Sequence, residues 1–128
     1  MPAITFLEHV RSIEEVMNRA IATGDATLVS LQVDQRSVVR GLISGSLQFD
    51  DGSTLHFREF VDTSQAEPKV MYVYHYQDMG NTLIFRYDNA AHRPALSQPA
   101  HRHSRAGIEL SAVPSFSSVL DQIVKQMN

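Results

Sequence analysis

Apolar positions along Ile4 to Ala22 recur at helical spacing: Leu7, Val10, Ile13, Val16 or Met17, then Ala20 or Ile21. That stripe predicts an amphipathic helix with Gly24 as its stop. His9, Glu14 and Glu15 fall off the stripe and are expected to face water. The pattern then changes period. TLVSLQV, Thr27 to Val33, alternates as a strand does. VVRGLISGSLQFDDGSTLHFREFV reads as a hairpin around Asp50-Asp51-Gly52. A three-residue loop with Gly52 left-handed sets Leu47 opposite Leu55 and Gly45 opposite Phe57, which keeps apolar partners on one face. A two-residue loop would not, so the longer loop is preferred. Gly41 and Gly45 suggest a bend or bulge in the first strand of this pair, and His56 falls with Thr54 and Arg58 on the solvent face.

VMYVYHYQ, Val70 to Gln77, alternates strongly. Tyr72, Tyr74 and Tyr76 share one face; Met71, Val73 and His75 share the other. After the turn Asp78-Met79-Gly80-Asn81, TLIFRYD returns as a partner strand, with Leu83, Phe85 and Tyr87 opposed to Ile84, Arg86 and Asp88. Pairing Gln77 with Thr82 puts His75 opposite Ile84 and brings His75, Arg86 and Asp88 to one side of the sheet. GIELS, from Gly107, reads as a last short strand. Pro114-Ser115 opens a final amphipathic helix through Phe116, Val119, Leu120, Ile123, Val124 and Met127, with Ser115 as N-cap. The sum is one α+β domain over residues 1–128: an antiparallel sheet of about five to six strands, with the N-terminal and C-terminal helices packed on one face.

The chain has 128 residues, 43% of them apolar and 20% charged, which suits a folded domain with its own core. Cysteine is absent, so disulfides, thiolate metal sites and cysteine catalysis are excluded. No apolar run is long enough to span a bilayer, and the first residues lack the pattern of a signal peptide. A cytoplasmic protein is expected. The net charge is −3, yet Arg86, Arg93, Arg102 and Arg105 face a single acid, Asp88, in one segment. A basic patch on an acidic body can hold a phosphate backbone.

That segment, DNAAHRPALSQPAHRHSR, Asp88 to Arg105, holds three of the six histidines and two prolines. It is too polar for core and cannot be a helix interior, so it reads as a loop. Where the chain is extended, His101 and His103 project to one side and Arg102 to the other. Metal-free RNA cleavage needs a base near neutral pKa, an acid for the leaving oxygen and a fixed cation for the phosphate. Histidine suits the first two roles and arginine the third. The candidate catalytic set is therefore His92, His101, His103, Arg86 and Asp88, with Asp88 orienting an imidazole or Arg86. Arg102, Arg93, His75, Tyr76 and Asn89 are candidates for substrate binding. The tyrosines could stack bases if exposed, but core packing is the stronger reading. His101 and His103 with His92 or Glu109 would also suit a divalent metal, and a solvated basic loop is the plain alternative. The expectation is a reaction without metal or other cofactor.

The succession TLHFREFV, YVYHYQDMGNTLIFRYDNAAH, PAHRH and a terminal amphipathic helix resembles the TumE family of small toxins from toxin–antitoxin pairs. The resemblance runs from about Leu42 to the C-terminus, and Phe85 to Ala90 with His92 and His101-Arg102-His103 is its most specific part. It implies that Tyr76, Gln77, Asp78, Arg86, Asp88, Asn89, His92, His101 and His103 are family-motif positions. Ala91 stands where the family pattern has proline, and Ala100 where it often has another histidine. The resemblance implies a growth-inhibiting protein neutralised by a cognate antitoxin, often a small helix-turn-helix DNA-binding protein. RNA is the expected substrate on the residue chemistry, and no membrane partner is expected. The alternative is a non-catalytic module that binds nucleic acid or protein, or a metal-binding protein using His101 and His103. The apolar strands TLVSLQV and GLISGSLQF offer edges for a homodimer.

Overall fold

The computed structural model describes residues 4–90 and 100–127. The elements run in order α1 (Phe6–Ala22), β1 (Ala26–Gln35), β2 (Arg40–Phe49), β3 (Thr54–Asp62), β4 (Lys69–Gln77), β5 (Leu83–Asp88), β6 (His101–Ser104), β7 (Gly107–Leu110) and α2 (Phe116–Met127). The strands form one sheet in sequence order, each antiparallel to the next. The α+β class and the helix at each end are as expected. Among the described residues the strand count is seven rather than five to six, because His101–Ser104 is a strand and not a loop.

Both helices cover one face of the sheet, here the inner face. Thr5 caps α1 by accepting the Glu8 N–H at 3.1 Å, and Phe6, Val10, Ile13, Met17 and Ala20 point to the core. Leu7, expected in the stripe, is exposed and Phe6 takes its place. Ser115 caps α2 as expected, its hydroxyl accepting the Ser118 N–H at 3.0 Å. Phe116 then packs on Phe57, ring centroids 4.9 Å apart. Under the helices lie Ile43, Leu47, Leu55, Phe57, Tyr72, Tyr74, Tyr76 and Phe85, all buried.

The β2–β3 hairpin has the expected register. Leu47 pairs with Leu55, Gly45 pairs with Phe57, and Gly52 has φ +84°. The expected bulge in β2 is absent: the β2–β3 register is unbroken, and the shift lies in β1 between Leu28 and Ser30. The two glycines instead make room. A Cβ on Gly41 would lie 2.4 Å from the Phe6 ring, and one on Gly45 would lie 2.6 Å from the Ser30 carbonyl. β2 is paired on both sides, so GLISGSLQF is not an edge; the edges are β1 and β7. In β4–β5 a register shift between Tyr76 and Gln77 sets Gln77 against Leu83 and His75 against Arg86. His75 therefore does not face Ile84 as the simple turn would require, because Ile84 takes the extra place in its strand.

Candidate functional site

Among the described residues the outer face of the sheet carries no helix, and the register draws a line across the seven strands described. Ser30 pairs with Ser46, Ser46 with His56, His56 with His75, His75 with Arg86, Arg86 with His103, and His103 with Ile108. One residue comes from each strand. The neighbouring line runs Gln32, Ser44, Arg58, Val73, Asp88, His101, Leu110. Because strand neighbours lie ~4.8 Å apart, side chains distant in sequence meet at contact distance.

Asp88 is the centre of this arrangement. Its Oδ1 lies 2.6 Å from His101 Nε2 and accepts the Ala90 N–H at 3.0 Å. Its Oδ2 accepts the Arg86 Nε–H at 2.8 Å and lies 3.7 Å from His103 Nε2. The His101 and His103 rings meet edge to face at 4.8 Å between centroids. Asp88 and His101 are buried, a finding the polar segment did not suggest, whereas Arg86 is 40% exposed and His103 26%. A buried carboxylate thus fixes a guanidinium and an imidazole that solutes can reach. His75 stands on the other side of Arg86, half-buried, with Nε2 3.1 Å from Gln77 Oε1. Burial and then the Arg86 charge hold its pKa below the ordinary histidine value.

The remaining candidates fall elsewhere. Arg102 lies on the inner face, its guanidinium 5.3 Å from the Phe85 ring and 5.5 Å from the Tyr87 ring, turned away from Arg86. The alternation of β6 requires this. Tyr76 is core, its hydroxyl bonded to Ser53 Oγ at 2.7 Å. Asn89 continues the β4–β5 ladder with its side chain, accepting the Tyr72 N–H at 3.2 Å and donating to the Val70 carbonyl at 3.0 Å. Asp78 closes the β4–β5 turn by accepting the Gly80 and Thr82 N–H groups, each at 2.9 Å. His92 and Arg93 lie outside the described residues.

Two histidines gain roles that sequence reasoning missed. His56 lies on the outer line as a solvent-face residue, with Nδ1 2.8 Å from Ser46 Oγ and its ring 6.3 Å from that of His75. His9 is not a solvated surface residue: its Nε2 lies 2.7 Å from Glu59 Oε1, and Glu59 is fully buried. Helical spacing places His9 beside the stripe but cannot show a carboxylate on β3.

The family model described as toxin TumE matches residues 12–128. This chain belongs to the TumE toxin family. The match starts within α1, so it also takes in the rest of that helix and β1, which the motif resemblance left out. Family membership implies an antitoxin partner for the chain. Of the TumE motif positions, Arg86, Asp88, His101 and His103 gather on the outer face, while Tyr76, Asp78 and Asn89 hold the sheet together. No curated protein and no solved structure shows a significant match to this chain. Among the described residues, no helix is long and apolar enough to cross a membrane.

Proposed function

We propose that this TumE-family toxin is a metal-independent ribonuclease whose reacting groups are His75, Arg86 and His103. The observation that carries the reading is their order: two imidazoles flank one guanidinium on three consecutive strands, with Asp88 behind. Arg86 would hold the scissile phosphate and offset its developing charge. One imidazole would take the proton from the ribose 2′-hydroxyl. The 2′-oxygen then bonds to phosphorus as the bond from phosphorus to the 5′-oxygen breaks, and the other imidazole protonates that oxygen. The products are a 2′,3′-cyclic phosphate and a 5′-hydroxyl. His75 is suited to the base role, since its depressed pKa keeps it neutral near pH 7. Asp88 fixes Arg86 and faces His103, and the enclosed His101 holds Asp88 in turn; both are positioning residues. RNA as substrate places the activity in the cytoplasm, and a small helix-turn-helix protein is the antitoxin expected there.

The test is induced expression of wild type beside His103→Ala and His75→Ala, with growth and RNA ends followed in chelator-treated extracts. Growth arrest with new 5′-hydroxyl ends, lost in folded variants, supports the reading. Arrest with intact RNA sinks the cleavage mechanism and leaves a toxin that acts by binding.

A divalent-metal reading uses Asp88, His101 and His103, whose ligand atoms lie within 4.8 Å of one another. Both Asp88 oxygens are engaged, however, one by His101 and one by the permanent cation of Arg86. A metal ion would have to displace the first and tolerate the second, so the metal-free reading is preferred. Stoichiometric metal in purified protein would reverse that preference.

A further inference from the structure

We infer that the outer line of the sheet is a binding track for single-stranded RNA, running from the Arg86–His103 centre across β4 and β3 to the serine-lined end at β2 and β1. The inference rests on the ribonuclease reading for its polarity, but its residues lie outside the reacting set. His56 and Arg58 on β3, and Ser46 and Ser44 on β2, are the groups assigned to it.

Three observations support a polyanionic strand as the occupant. First, charge: in the two lines that cross the sheet the permanent cations are Arg58 and Arg86, and the one carboxylate, Asp88, is already engaged. Arg58 is exposed, and among the described residues no carboxylate forms an ion pair with it. Second, shape: beyond His56 the face sinks into a shallow depression of about 390 Å³, where Ser30, Gln32, Ser44, Ser46 and Arg58 line it together with Leu42, Gly45 and Phe57. Hydroxyls and an amide beside a guanidinium suit phosphate and sugar oxygens. Third, ring faces: the half-buried His75 and the exposed His56 are adjacent and tilted by 46°, offering imidazole surfaces to unstacked bases. The line from Ser46 to His103 crosses four strand gaps, about 19 Å at ~4.8 Å per gap, room for several nucleotides of an extended strand. In-line attack by a 2′-oxygen also needs a flexible backbone, which a single strand has and a duplex lacks.

The test is binding of a fluorescent 2′-O-methyl oligouridylate, which keeps the phosphates but lacks the attacking hydroxyl, so that binding is read apart from cleavage. Wild type is compared with Arg58→Ala, His56→Ala and Arg19→Ala, the last removing one charge from α1 on the opposite side of the sheet. Arg58→Ala is expected to weaken binding several-fold and to lower the slope of log affinity against log salt by about one. His56→Ala should weaken binding with little change in slope, and Arg19→Ala should leave both near wild type. Equal losses for Arg58→Ala and Arg19→Ala would overturn the track, since binding would then follow overall charge. No loss for Arg58→Ala, or equal affinity for an RNA duplex, would overturn it as well. Cleavage of ordinary RNA, measured in parallel, separates the two proposals. Cleavage unaffected by Arg58→Ala removes the track and keeps the ribonuclease. Track binding without cleavage does the reverse.

Discussion

Two buried carboxylates sit on opposite faces of one sheet with nearly the same company. Glu59, on the inner face, meets His9 at 2.7 Å, the Lys69 ammonium at 3.7 Å and the Tyr74 hydroxyl, which donates to it. Asp88, on the outer face, meets His101 at 2.6 Å, Arg86 at 2.8 Å and His103 at 3.7 Å. The difference lies in the partners. Around Glu59 they are enclosed: Lys69 is 10% exposed, and its ammonium also donates to the Pro114 carbonyl at 2.5 Å. That cluster joins α1, β3, β4 and the approach to α2. Burial draws the Glu59 pKa upward, but His9, Lys69 and Tyr74 together outweigh it and hold the carboxylate below its ordinary value. Around Asp88, a cation and an imidazole reach solvent. A carboxylate with an imidazole and a cation is thus a clamp when its partners are sealed and a candidate site when they are open.

The comparison breaks most sharply on activity. His103→Ala should lower RNA cleavage by ~10²–10⁴-fold, the usual worth of a proton-transferring side chain, with little change in urea midpoint. Full cleavage by the folded variant would put Asp88 in the same class as Glu59. Glu59→Ala should do the opposite. Leaving Lys69 buried without its counter-charge costs about 3–5 kcal/mol, visible in urea unfolding, while cleavage per folded molecule holds. A loss of cleavage beyond the loss of folded protein would show that the clamp serves the chemistry too.

Acid separates the faces next. The folded Glu59 has a depressed pKa, so its contribution is present above about pH 4.5 and is lost as pH falls through the lower folded value. His75 is also depressed, but for histidine this means that the unfolded chain takes up its proton first. Stability therefore declines as pH falls below 6.5 toward the folded value. His75→Gln should flatten that upper window, and Glu59→Gln the lower one, in unfolding midpoints measured against pH. Midpoints that respond the other way round would exchange the two assignments.

The smallest effect concerns a hydroxyl. Tyr72 is buried on the inner face with no partner for its OH among the described residues, and burial first, then Asp88, raise its pKa to about 12. Tyr72→Phe should be neutral or stabilising by up to ~1 kcal/mol, since no hydrogen bond is lost and an unpaired polar group goes. A clear destabilisation would reveal a partner.

Much of this was legible where the signal is local. Helical stripes, the Gly52 loop and the alternation of β4 and β5 each depend on residues close in sequence. The projection of His101 and His103 away from Arg102 followed from alternation alone. The status of that segment did not. HRHS has no β-branched residue, no Phe, Tyr or Trp, and no apolar alternation; it is a strand because β5 and β7 flank it. His9 and Glu59 are fifty residues apart and meet only through packing. The Ile84 shift, a single residue, changed which side chain His75 faces. A site assembled across strands is read from register, and register is where sequence says least.

The line on the outer face has a consequence for timing. Its members come from strands added one after another along the chain, and His103 lies on the second-last of them. A chain leaving the ribosome holds His56, His75 and Arg86 well before the segment through Ser104 emerges. Until that segment docks on β5, Asp88 has neither His101 nor His103 beside it. Assembly of the centre thereby waits for β6 to dock, which leaves a partner already present an interval in which to meet the chain before the candidate site is complete.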